Sequence, residues 1–148
     1  MGNWHPQLLE QASRICSGSV TCIVMQGDKV VYEADGRGVA PLMALYDGDR
    51  AKFEGALVAD KIIGKAAAMI LCAGGAAAVY GEIMSRAAME YLHGRGVDCR
   101  CGRCVDVISN RTGSGICPIE KCVLDVDDPC EGIETIKETI NELRKMAQ

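Results

Sequence analysis

The stretch Leu57-Val58-Ala59-Asp60-Lys61-Ile62-Ile63-Gly64-Lys65-Ala66-Ala67-Ala68-Met69-Ile70-Leu71-Cys72-Ala73-Gly74-Gly75-Ala76-Ala77-Ala78-Val79-Tyr80-Gly81-Glu82-Ile83 decides the fold class. Leu57-Val58-Ala59 reads as short and extended, and Asp60 as the N-cap of a helix over 61–72. Ile62, Ile63, Ala66, Ala67, Met69 and Ile70 leave that helix a narrow polar stripe, so it should lie buried across a sheet. Gly74-Gly75 stops it, and residues 76–83 read as a buried strand. A strand, a helix and a second strand imply a right-handed crossover with parallel pairing.

Downstream the alternation continues. Ser85 reads as an N-cap for a helix over 86–93, closed by Gly94-Arg95-Gly96, and residues 97–101 alternate as a strand with Val97, Cys99 and Cys101 on one face. Upstream, Leu8, Leu9, Ala12 and Ile15 form one stripe of a helix over 6–16. An apolar strand over 20–25 turns at Gly27-Asp28 into a hairpin partner over 29–33. Residues 34–38 form a loop before a short helix that starts near Pro41 and buries Leu42, Leu45 and Tyr46. The whole predicts one domain over 1–148, with a core over about 20–127. Its class is α/β, a three-layer α/β/α sandwich around a mixed sheet.

The C-terminal third carries two helix starts. Cys117 is an N-cap, Pro118 takes the first helical position, and Glu120 falls at N3, where a carboxylate reaches back to free N–H groups. Asp128-Pro129-Cys130-Glu131 repeats that arrangement and opens an amphipathic helix over 128–147. Its stripe of Ile133, Ile136, Ile140 and Leu143 packs on the domain or, less simply, on a second copy of the chain in a homodimer.

Totals narrow the function. The chain has 148 residues, 49% of them hydrophobic, which excludes a disordered segment. A net charge of -4 gives no basic footprint, and one Trp, one Phe and four Tyr supply few base-stacking platforms, so nucleic acid is not an expected partner. The N-terminus has no signal-peptide pattern, and the apolar run over 66–80 is too short to cross a bilayer. A cytoplasmic protein without membrane contact is expected. Its nine cysteines then read as free thiols or metal ligands rather than disulfides.

Chemistry concentrates in few places. Cys101 and Cys104 form one C-x2-C, but a four-thiolate site needs two such pairs, so no metal is expected at Cys99, Cys101 and Cys104. Cys16, Cys22 and Cys72 fall on core faces. His5 and His93 stand alone, and Ser114 lacks the G-x-S-x-G context of a nucleophile. Lys61 and Lys65, spaced i,i+4 at a helix start, oppose the dipole and call for solvent, a bound anion or a carboxylate. The glycine-rich run Asn110-Arg111-Thr112-Gly113-Ser114-Gly115 before a helix offers N–H groups and a guanidinium to an anion. Cys117 at that helix start is a candidate thiolate nucleophile. Together with Ser85, these segments are expected to converge at the carboxyl ends of the parallel strands, where open α/β sheets bind ligands.

Arg37-Gly38-Val39-Ala40-Pro41-Leu42, Val58 to Ala67 and Asn110 to Glu120 resemble a small prokaryotic family of unknown function, and the resemblance runs in order over about 20–128. It implies a cytidine-deaminase-like fold. It does not imply deaminase chemistry, because a zinc deaminase carries H-x-E at one helix start and P-C-x-x-C at the next. Here those positions read Asp60-Lys61-Ile62 and Met84-Ser85-Arg86-Ala87-Ala88.

The sequence therefore predicts a zinc-independent protein, needing no cofactor, that binds a small anionic ligand such as a nucleotide. Lys61, Lys65, Ser85, Asn110, Arg111, Thr112, Gly113, Ser114 and Gly115 would hold the ligand. Asp60, Cys117 and Glu120 would carry any chemistry, the carboxyls as acid or base and the thiol as nucleophile. The alternative is a non-catalytic redox- or metal-responsive cysteine-rich module, or a dimeric scaffold.

Overall fold

The computed structural model describes residues 4–110 and 112–147. In chain order the elements are α1 (Pro6–Ser17), β1 (Cys22–Gln26), β2 (Lys29–Ala34), α2 (Ala40–Asp49) with a 3-10 turn (Arg50–Phe53), β3 (Leu57–Ile63), α3 (Lys65–Gly74), β4 (Ala78–Ser85), α4 (Arg86–Gly94), β5 (Asp98–Val105), α5 (Pro118–Cys122) and α6 (Pro129–Met146). The five strands form one mixed sheet in the order β2-β1-β3-β4-β5. β1 runs antiparallel to both neighbours, whereas β3, β4 and β5 are parallel, as two helical crossovers require.

Alternation along β1 divides the apolar residues between two cores. Ile23 and Met25 join Leu57, Ala59 and Ala78 under Leu8 and Ile15 of α1. Cys22 and Val24 face the opposite way, with Val58 and Val79, into the larger core built with α2, α3 and α4. α6 then covers α3: Ile133 and Ile136 are buried, and a Cβ at Gly132 would fall 2.6 Å from Met69 Cε. The apolar girth of α3 is thus explained by a sheet on one side and a helix on the other.

The hairpin turns where expected, with Gln26 opposite Lys29 and Gly27 at φ +60°. Ser85 caps α4 through its hydroxyl, which accepts the Ala88 N–H at 3.1 Å, and Asp128 caps α6 by accepting the Glu131 N–H at 2.9 Å. Ser85 is buried, so Ser85→Ala leaves the Ala88 N–H without a partner. The substitution is expected to cost about 1–2 kcal/mol in urea denaturation.

One boundary differs from the sequence reading in a way that matters. β3 continues through Asp60, Lys61 and Ile62 to Ile63, and the helix begins only at Lys65. Asp60 is therefore no N-cap, and Lys61 and Lys65 do not share a helical face. Pairing explains the shift: Asp60 lies opposite Cys22 on one side and Gly81 on the other, and Ile62 and Ile63 pair with Ile83 and Met84. A ladder on both flanks outweighs the capping preference of one aspartate. β5 likewise runs past 101 to Val105, held by β4 as far as the Ser85–Val105 pair.

Candidate functional site

The carboxyl end of β3 meets the amino end of β1 and the loop that leaves β2, because β1 is antiparallel to both. Thr21 ties this corner together. Its carbonyl accepts the Lys61 N–H at 2.9 Å, and its hydroxyl donates to the Gly36 carbonyl at 2.6 Å. Gly38, at φ +61°, then turns the chain into α2. A cleft of about 330 Å³ results, lined by Thr21, Asp35, Gly36, Arg37, Gly38, Asp60, Lys61 and Ile62.

Asp60 is only 4% exposed in this cleft. Its Oδ1 accepts the Lys61 N–H at 2.7 Å, while Oδ2 has no partner among the described residues. Burial pushes the carboxyl up to about 8, against the lowering by the N–H groups of Lys61 and Ile62. At pH 7 this side chain therefore mostly carries its proton, and a neutral carboxyl can donate a hydrogen bond. Lys61 and Arg37, with no carboxylate partner among the described residues, supply positive charge at the same cleft.

Lys65 and Glu120 belong to a different construction. Glu120 does not reach back into its own helix. Its Oε1 accepts the Lys65 N–H at 2.6 Å and its Oε2 the Ala66 N–H at 3.1 Å, so it caps the first turn of α3 from 55 residues away. The Lys65 ammonium donates to the Leu124 carbonyl at 3.0 Å. Gly64 is required here, since a Cβ at that position would overlap the Glu120 carboxylate. Burial raises the Glu120 carboxyl, opposed by the Ala66 and Lys65 N–H groups and the Lys65 charge. The carboxylate that the sequence called for at this helix start comes from the chain itself. It fills the place a bound anion would take.

The profile of DUF1893, a domain of unknown function, matches residues 12–140. The chain belongs to the DUF1893 family. A solved structure of a DUF1893 family protein from Thermotoga maritima superposes with a TM-score of 0.82 at 24% identity, covering 93% of this chain and 92% of that one. At that identity the likeness establishes a shared fold. No curated protein matches the chain.

The remaining sequence candidates of this DUF1893 chain lie outside the lining of the Asp60 cleft. Arg111 lies outside the described residues. The loop around it closes on itself: Asn110 Oδ1 accepts the Ser114 N–H at 3.0 Å and the Thr112 hydroxyl at 3.1 Å. The Asn110, Gly113 and Cys117 N–H groups donate to the carbonyls of Gly115, Asn110 and Ile108. The amides of Asn110, Gly113, Ser114 and Cys117 are thus engaged within the loop rather than turned to a ligand. Cys117 is the half-buried N-cap of α5, which has five residues and develops little dipole. The hydroxyl of Ser85 is spent on its cap.

Cysteine placement follows strand geometry. Cys101 and Cys104 are three apart on β5, and odd spacing sends them to opposite faces. Cys101 packs against the larger core, as does buried Cys99, while Cys104 is exposed. Among the described residues no three His, Cys, Asp or Glu side chains are grouped to hold a metal ion, and no helix is long and apolar enough to cross a membrane.

Sequence reasoning missed Thr21 and Arg37 as members of the site. A signal was there. A hairpin that leads into Asp35-Gly36-Arg37-Gly38 must deliver this loop beside the start of β1.

Proposed function

We propose that this protein binds a small anionic organic ligand, of the nucleotide or sugar-phosphate kind, in the cleft at Asp60, on a cytidine-deaminase-like three-layer fold that works without zinc. The observation that carries the reading is the Asp60 carboxyl, nearly inaccessible, with one buried oxygen unpaired among the described residues, in a residue that lines a cleft together with Lys61 and Arg37. Unpaired buried polar atoms are uncommon and cluster at functional sites. Lys61 and Arg37 suit the negative group of the ligand, and the protonated carboxyl of Asp60 suits an acceptor atom beside it. The cleft lies beyond the carboxyl end of a parallel strand, and its volume is of the size that small-molecule sites use.

The fold part of the reading is supported by the placing of α1 on one side of the sheet and α2 to α4 on the other. The two positions where a zinc deaminase holds its ligands carry strand residues Asp60-Lys61-Ile62 and the capping Ser85 instead. For any reaction on the bound molecule, Asp60 is the acid this cleft supplies, since both oxygens of Glu120 are occupied.

The test is a thermal-shift and calorimetric panel of nucleotides and sugar phosphates on wild type, Lys61→Ala and Asp60→Asn. A ligand at one hundred times its Kd should add roughly 2.7 kcal/mol of stability. Lys61→Ala is expected to weaken the hit about tenfold. Wild-type affinity should fall as pH rises through about 8, where Asp60 loses its proton and gains a charge that repels an anion. Asp60→Asn keeps an N–H donor there and should lose that pH dependence. A hit that ignores both substitutions places its site elsewhere and sinks the reading.

A further inference from the structure

The Asp60 cleft does not end at Arg37. That side chain also lines a second cavity, a groove of about 530 Å³ between α2 and α6. Ala40, Met43 and Asp47 on α2 face Lys137, Ile140 and Arg144 on α6, each set at the three-to-four-residue spacing of one helical stripe. The Lys137–Asp47 ion pair, at 2.8 Å, bridges the two helices, and the small side chains of Ala40 and Ala44 leave the space between them unfilled.

Together the two cavities hold four cations, Arg37, Lys61, Lys137 and Arg144, against three carboxyls, Asp35, Asp47 and Asp60. The chain is acidic overall, yet Arg37, Lys61 and Arg144 line the two cavities without a carboxylate partner among the described residues. Asp47 is neutralised by Lys137, and Asp35 stands exposed in the cleft. A concave surface with an excess of positive charge concentrates the field and draws in an anion. Two such places, joined by one guanidinium, ask for two negative groups on one molecule.

We propose that the ligand of the Asp60 cleft is an elongated organic anion with two separated negative groups, the second lying beyond Arg37 in the α2–α6 groove against Arg144. The proposal rests on the reading of the cleft given above. Arg37 sits at the junction, and its planar fork can serve either group. The apolar side chains of Met43, Ile119 and Ile140 in the groove favour an organic molecule over a chain of inorganic phosphates.

Titration calorimetry on the full-length protein tests it. The probes are AMP against ATP, ribose 5-phosphate against fructose 1,6-bisphosphate, and tripolyphosphate. At least one organic probe with two or more phosphate groups should bind about tenfold tighter than its monophosphate counterpart. Arg144→Ala, at an exposed position, should erase that gain, leaving monophosphate affinity and melting temperature unchanged. Arg37→Ala should weaken both forms. Equal binding of the short and long probes overturns the proposal, as does an Arg144→Ala variant that weakens both alike or neither. In those cases, Lys61-dependent monophosphate binding leaves the cleft reading standing alone. No binding of any probe removes both. An oligoglutamate peptide that displaces ATP and binds more tightly overturns the proposal in favour of an acidic protein partner.

Discussion

Gly64→Ala is expected to destabilise the protein by roughly 2–4 kcal/mol, the range for leaving buried charged groups without their partners. The backbone at Gly64 has φ −99°, which alanine adopts without strain, so no conformational penalty clouds the result. The effect comes from the new Cβ, which falls on the Glu120 carboxylate. That group must leave, and with it go the acceptors of the Lys65 and Ala66 N–H groups at the start of α3. For a domain of this size the melting temperature should fall by roughly 5–15 °C. Glu120→Ala alone should cost a similar amount. The decisive measurement is the double variant: with the carboxylate already gone the three atoms nearest that Cβ are removed, so the two losses should fail to add. Full additivity would mean that Gly64 matters for some other reason.

Asp60→Asn is expected to change how stability depends on pH more than any other substitution at the cleft. The folded-state value of about 8 stands well above the ordinary 3.8. Between those values the folded protein holds a proton that the unfolded chain has released. Stability therefore falls as pH rises, by up to about 1.4 kcal/mol per unit, and levels off above the folded value. Across the window the loss amounts to roughly 6 kcal/mol at most. Asparagine cannot ionise, so the variant should be flatter from pH 5 to 9 and more stable than wild type at the alkaline end. Urea denaturation at several pH values measures this directly, and subtraction of the two profiles removes groups such as Glu33, which Arg14 holds below its usual value. Parallel profiles would show that Asp60 is ionised in the folded protein. A residue that costs the fold stability in its charged form is retained more readily for binding than for structure.

How much of this could be read from the sequence depended on how local the deciding interaction is. The Gly27-Asp28 turn and the Ser85 and Asp128 caps rest on residues a few positions apart, and each appears where turn and capping chemistry put it, while the strand-helix-strand crossover at 57–83 is present with its helix starting at Lys65 rather than Lys61. Asp60 looked like a cap because aspartate before an apolar run usually is one. Its real setting depends on Cys22 and Gly81, which reach it only through the sheet. Glu120 has the position of a reciprocal cap for its own helix, yet its carboxylate serves α3, because the partner is set by packing. Lys61 and Lys65 were legible as cations needing compensation, but not as members of separate clusters. Arg37 lay in plain view within a loop and became part of the cleft only once the hairpin carried it there.

The Glu120 clasp also bears on the order in which the domain can be completed during synthesis. All five strands are present once Val105 has been made, but the first turn of α3 and its outer face are not finished at that point. The carboxylate that caps the helix arrives with residue 120, and Ile133 and Ile136, which cover it, arrive later still. The segment over 120–136 is thus keystone rather than appendage. A nascent chain of this protein must carry a complete sheet with an exposed apolar helix until residues 120–136 have been joined.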